Sequence, residues 1–161
     1  MNKILVATDG SDSAAEAAEF GIELAAEHGA ELILVHVVPV LDIVPVSGFG
    51  IGGAFPHEPS IEDRALLDDA AAIAEEHDVR STTVLLAGDT VDEIVAYADS
   101  HDVDLIVVGS RGHGTIANAL LGSVSRGVLA ASKRPVLVVR GGASIHHSAD
   151  VRRPAGIGLG F

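Results

Sequence analysis

Three stretches of this sequence carry residue types suited to holding an anion. Ala7-Thr8-Asp9-Gly10 follows a short apolar run at 3–7 (KILVA), and Gly109-Ser110-Arg111-Gly112-His113-Gly114-Thr115 follows another at 104–108 (DLIVV). Glycines let a backbone approach a phosphate and turn its N–H groups toward it. The third stretch, Gly122-Ser123-Val124-Ser125, opens a helical segment at 123–132. The N-terminus of a helix presents unpaired N–H groups and positive partial charge, so this cluster suits a phosphate chain. Ser123 has a plainer reading as the N-cap of that helix, and Asp9 as a cap on the turn before the first helix. His113 can donate to phosphate, and Arg111 and Arg126 are near enough in sequence to offset ligand charge. His36, within an apolar run, reads as a satisfied core histidine.

The elements that must position these residues follow from apolar periodicity. After the first strand, Ala14, Ala17, Ala18, Ile22 and Ala25 recur at helical spacing, with Ser11 or Asp12 as cap and His28-Gly29 as the close. Residues 31–38 (ELILVHVV) are apolar nearly throughout, as in a strand covered on both faces. Residues 60–77 are helical, with Ser60 as N-cap, and 81–87 (STTVLLA) form a strand. A helix at 91–100, the strand at 104–108, the helix at 123–132 and a last strand at 135–140 complete the order. Strands alternating with helices imply right-handed crossovers: an α/β fold, one doubly wound domain with a five-stranded parallel sheet. In the order 3-2-1-4-5, the first and fourth strands are neighbours at the switch point, and the two glycine-bearing loops face one cleft. Residues 39–59, with Pro39, Pro45, Pro56 and Pro59 and several glycines, read as a loop of about 20 residues. The domain is expected to span 1–140. The tail at 141–161 has no periodicity and reads as a flexible extension, its His146-His147 pair a poor metal site.

Composition narrows the function classes. The chain has 161 residues, 48% of them hydrophobic and only 3% aromatic, enough to bury the core of one domain. The absence of cysteine excludes a disulfide scaffold, a thiolate zinc site and a catalytic thiol. No apolar run approaches the roughly 18 residues that cross a bilayer, and no signal-peptide pattern opens the chain, so a cytoplasmic location is expected, with no membrane partner. Asp and Glu total 23 against 10 Lys and Arg, a formal charge of −13. That sign opposes binding to nucleic-acid phosphates. It fits either an ordinary acidic protein or one adapted to high salt, where ions screen self-repulsion.

Familiar phosphate motifs fit poorly. Gly109-xxxx-Gly114-Thr115 has Walker spacing without the lysine, and Gly112-x-Gly114-x-x-Ala117 follows the wrong strand for a dinucleotide fingerprint. No Gly-x-Ser-x-Gly elbow is present. A different spacing fits: Gly109-x-x-Gly112, nine residues, then Gly122-Ser123. This G-2x-G-9x-G-S pattern resembles the ATP-binding members of the universal stress protein family. Ala7-Thr8-Asp9-Gly10-Ser11, the His36-Val37 strand end and Arg134-Pro135-Val136-Leu137-Val138-Val139 resemble it too, so the likeness covers about residues 2–140.

The resemblance implies an adenine nucleotide alpha hydrolase-like fold with ATP as ligand, sometimes accompanied by a divalent metal such as Mg²⁺ or Mn²⁺. It implies that Asp9 lies near the ribose, with Ala7 and Thr8 lining the pocket, that the Val37 backbone meets adenine, and that Gly109 flanks the ribose. Ser110, Gly112, His113, Gly122, Ser123, Val124 and Ser125 then fall in the phosphate-contacting stretch. It also implies a homodimer paired through the last strand, about Val136–Val139. The expected role is a nucleotide-dependent stress-response module, because no residue is placed as a general base for the γ-phosphate. A nucleotide-processing enzyme, such as a slow ATPase or adenylate-transferring protein, and a dimeric interaction protein without nucleotide are the alternatives.

Overall fold

In the computed structural model, residues 1–45, 52–56, 58–112 and 121–140 are described. The order of elements is β1 (Lys3–Ala7), α1 (Asp12–His28), β2 (Glu31–Val38), β3 (Leu41–Pro45), β4 (Gly52–Pro56), α2 (Ile61–Glu76), β5 (Ser81–Ala87), α3 (Thr90–Ser100), β6 (Leu105–Gly109), α4 (Ser123–Ala131) and β7 (Val136–Val139). Five strands form one parallel sheet in the order β5-β2-β1-β6-β7. With the β3–β4 ribbon set aside, this is the 3-2-1-4-5 order expected from the sequence.

Period-two alternation in the central strands assigns each residue to one of two cores. Ile4, Val6, Leu32 and Leu34 face α1 and α2, meeting Ala17, Ala18, Ile22, Leu67 and Ala74. Leu5, Ile33, Val35, Ile106 and Val108 face the opposite layer, where Ile94 and Ala98 of α3 and Val128 of α4 cover them. Both faces are therefore dry, and each fully buried Leu or Ile contributes about 1.5–3 kcal/mol of burial free energy. Alanine-rich helix faces let α1 lie close to the strands, which suits a chain with few aromatic residues to fill a wider gap.

The expected loop at 39–59 is corrected by the structure. Leu41–Pro45 and Gly52–Pro56 pair as an antiparallel ribbon, with Leu41 opposite Pro56 and Pro45 opposite Gly52. Proline and glycine density suggests a turn-rich segment, yet Pro45 and Pro56 fall at the ends of their strands, where a missing donor costs little. Among the described residues the ribbon is a sheet of its own, apart from the main one. Strand and helix boundaries elsewhere agree with the sequence reading to within one or two residues. The tail at 141–161 lies outside the described residues.

Candidate functional site

A cavity of about 150 Å³ opens at the carboxyl edge of the sheet. The ends of β1, β2 and β6 form its floor, and the starts of α3 and α4 contribute its sides, as expected for a site at the switch point of an open α/β sheet. β1 runs into the turn that starts α1. There Ser11, and neither Asp9 nor Asp12, caps the helix, its Oγ accepting from the Ala14 N–H at 3.3 Å. Asp9 Oδ1 accepts from the Ser11 N–H at 3.0 Å, and the Thr8 N–H donates to the Val35 carbonyl at 2.9 Å. These bonds fix the Asp9 carboxylate over the cavity.

β6 brings the second loop beside the first, since Ala7 pairs with Val108. Two glycines allow the approach. A Cβ on Gly109 would meet the Ser13 carbonyl oxygen at 2.5 Å, and one on Gly112 would meet Asp9 Oδ2 at 2.6 Å. The first contact is with backbone, so no side chain at 109 fits without moving α1. The second is with the tip of a side chain, so a larger residue at 112 displaces the carboxylate.

The start of α4 supplies donors. Its N-cap is Gly122, which has no side-chain cap, and its first intrahelical bond runs from the Arg126 N–H to the Gly122 carbonyl at 3.1 Å. The N–H groups of Ser123, Val124 and Ser125 precede that bond and lack intrahelical acceptors. Ser123 is thus the first residue of the helix rather than its cap, and its side chain is exposed. The Gly122 N–H is committed to the Ser110 carbonyl at 2.7 Å. An uncapped helix start beside a glycine loop is an arrangement that favours an anion.

The sequence-predicted residues divide accordingly. Ala7, Thr8, Asp9, Val37, Gly109, Gly112, Gly122, Ser123, Val124 and Ser125 all line the cavity. Ser110 does not. It is buried behind the wall, donates its N–H to the Val139 carbonyl at 2.7 Å and holds α4 through its own carbonyl. The Ser125 hydroxyl is also turned inward, donating to the Gly122 carbonyl at 3.1 Å. Both serines brace the loop, and what Ser125 offers the cavity is backbone. His113 lies outside the described residues. Arg111 lines the cavity, whereas Arg126 does not.

Sequence reasoning passed over Thr90 and Ile94 on α3, which form part of the wall. The signal was the position of Thr90 just past the carboxyl end of β5. His36 also lines the cavity. Its Nδ1 lies 2.8 Å from the Thr8 carbonyl, and its Nε2 lies 3.1 Å from Asp63 Oδ1 on α2. Asp63 is the third residue of a capping box: its Oδ2 accepts from the Ser60 N–H at 2.7 Å and the Ser60 hydroxyl at 2.9 Å. The Ser60 N–H, with the Ser60 hydroxyl and His36 adding to it, outweighs partial burial and lowers the Asp63 pKa to about 2. The sequence reading of His36 as satisfied is correct, but its partners belong to the site.

Among the described residues no cluster of three or more His, Asp or Glu is arranged to hold a metal ion. A second depression, of about 410 Å³, lies between α2 and β5 and is edged by Asp68 and Glu75. Its acidic rim repels anions, and it is remote from the carboxyl ends of the strands. Among the described residues no helix is long and apolar enough to cross a membrane.

The family model of the universal stress proteins matches residues 1–140. A universal stress protein of Bacillus subtilis (strain 168) is 38% identical over 147 residues, spanning 87% of this chain and 99% of its own. Among solved structures, a universal stress protein in complex with cAMP superposes with a TM-score of 0.64 at 27% identity, covering 86% of this chain and 96% of that one. The universal stress protein from Archaeoglobus fulgidus in complex with dAMP gives 0.62 at 26% identity, with 86% and 97% covered.

Proposed function

Because the chain belongs to the universal stress protein family, we propose that its cavity binds an adenine nucleotide, with ATP as the working ligand. The observation that carries this reading is the convergence, on one cavity, of the Asp9 carboxylate, the Val37 end of β2 and the uncapped start of α4 facing Gly112. A carboxylate accepts from vicinal sugar hydroxyls, a strand backbone can pair with a purine edge, and neutral N–H donors suit phosphate. Gly109 then flanks the ribose, and Gly112, Gly122, Ser123 and Val124 surround the phosphates with their backbone. Solved relatives that hold cAMP and dAMP support the nucleotide class.

The G-2x-G-9x-G-S spacing favours ATP, since the N–H groups of 123–125 at the start of α4 offer donors to a phosphate chain beside the glycine loop at 109–112. A Mg²⁺ or Mn²⁺ ion at this site would draw most of its ligands from phosphate oxygens and water. The protein acts as a nucleotide-dependent regulatory module in the cytoplasm, paired as a homodimer through β7, the edge strand beside β6. Its −13 charge suits a high-salt interior. The test is to denature freshly purified protein, identify any released nucleotide by mass spectrometry, and titrate the stripped protein with ATP, AMP and GTP by calorimetry. Adenine-selective binding at one site per chain supports the reading. Equal binding of GTP, or none of either, refutes it.

A further inference from the structure

The peptide unit between Ser110 and Arg111 is held at both ends. Its carbonyl accepts from the Gly122 N–H at 2.7 Å, and its N–H donates to the Ser13 hydroxyl oxygen at 3.2 Å. The carbonyl and the N–H of a trans peptide point in opposite directions, so one rigid plane reaches from α1 to the N-cap of α4. The N–H before it, that of Ser110, donates to the Val139 carbonyl on β7 at 2.7 Å. Two of these anchors are backbone atoms, which every residue type supplies. The third is the side chain of Ser13.

Ser13 is the second residue of α1 and is half-buried. It does not itself line the cavity. Ser11 caps this helix, so the Ser13 hydroxyl is left for the loop. It also lies 3.4 Å from the Ser110 hydroxyl, which has no other hydrogen-bond partner among the described residues and belongs to a residue only 4% exposed. Removing the Ser13 oxygen therefore strands two groups. The Arg111 N–H is exposed and can turn to water, and turning it tilts the whole plane. The Ser110 hydroxyl is too buried to exchange its partner for bulk water, which gives the loop a second reason to move.

We infer that Ser13 is a positioning residue for the start of α4. Through the Ser110–Arg111 peptide its hydroxyl sets the Gly122 N-cap, and with it the Ser123 and Val124 N–H groups proposed to meet phosphate. The Ser110 carbonyl also receives the Ser125 hydroxyl at 3.4 Å, so a tilt of the plane disturbs α4 at two points. The purine end of the cavity, at Val37, belongs to β2 and has no part in this relay.

The inference rests on the nucleotide reading, and the test keeps the two apart. Ser13→Ala removes the hydroxyl and keeps a good helix former. The full chain, wild type and S13A, is titrated with AMP and with adenosine while its backbone amide resonances are followed. The Gly122 amide proton is expected to move upfield in S13A, as its bond to Ser110 lengthens. AMP affinity is expected to fall about fivefold, the scale of one net hydrogen bond, and adenosine affinity to stay within about twofold of wild type. Equal weakening of both ligands would mark a general loosening of the fold and overturns the inference. An AMP affinity within about twofold of wild type, a tighter one, or an unmoved Gly122 resonance overturns it as well. The nucleotide site survives each of those results. A wild-type chain that binds neither ligand refutes the nucleotide reading itself, and the inference with it.

Discussion

Replacing Gly112 by alanine separates ligand binding from folding. The added Cβ would lie 2.6 Å from Asp9 Oδ2 and 3.7 Å from its Cγ. That is about 0.8 Å short of ordinary carbon–oxygen contact, well up the repulsive wall. The backbone at 112 is not in the left-handed region, so the methyl group itself is tolerated. Asp9 yields by swinging about its side-chain torsions, pivoting on the Oδ1 that accepts from Ser11. The fold then loses less than about 1 kcal/mol, because only the tip of an accessible side chain moves. The ligand loses the carboxylate from its working position. A hydrogen bond to a charged group contributes about 1.5–3 kcal/mol, so AMP affinity should drop about tenfold or more. Calorimetric titration with AMP, alongside thermal melts, checks both halves. AMP affinity within about twofold of wild type, with an unchanged melt, would refute the placement of Asp9 against the sugar.

Gly21→Ala should do the reverse. Its Cβ would land on a Val6 γ-methyl in the α1–β1 core, costing about 1–3 kcal/mol in chemical denaturation while the folded fraction binds AMP as before. Asp63 makes stability depend on acidity. Because its folded pKa is lowered from 3.8 to about 2, its contribution is complete above about pH 4 and is lost as pH falls toward 2. After allowance for solvent screening this amounts to about 1 kcal/mol, and an acid-unfolding series should show D63N flatter than wild type over that window. Salt should act differently on stability and on ligand. Raising KCl from about 0.1 M to about 2 M should raise the melting temperature as the −13 charge is screened, while AMP affinity changes less than about threefold because its phosphate meets neutral donors at short range. A steep loss of affinity with salt would point to long-range attraction by arginines instead.

The sheet was legible because its central strands are apolar nearly throughout and its helices are not. The run ELILVHVV cannot be a surface strand, and the alternation of such runs with alanine-striped helices fixes the crossovers. The site was legible as far as it depends on strand ends. Asp9 and Gly112 are 103 positions apart, yet the β1–β6 pairing that joins them follows from strand order alone. The β3–β4 ribbon was not legible, because glycine and proline dominate local propensity while its register is set by pairing between residues 7 to 15 positions apart. Residue type also misled where a hydroxyl had two uses. Ser110 and Ser125 look like phosphate ligands, but the Ser110 hydroxyl lies 3.4 Å from the Ser13 hydroxyl and the Ser125 hydroxyl donates to the Gly122 carbonyl. His36 was read correctly as satisfied. What no sequence pattern carries is that both its partners are acceptors, a fact set by how α2 returns across the end of β2.

The claim on which the rest depends is that an adenine nucleotide occupies the cavity between Asp9 and the start of α4. Titrating AMP into isotope-labelled protein and following the backbone amide resonances tests its location directly. Saturable shifts are predicted at Gly112, Ser123 and Val124 for the phosphate and at Val37 for the purine, all with one dissociation constant. Saturation at the groove between α2 and β5, or no saturable shift at these four amides, would contradict it.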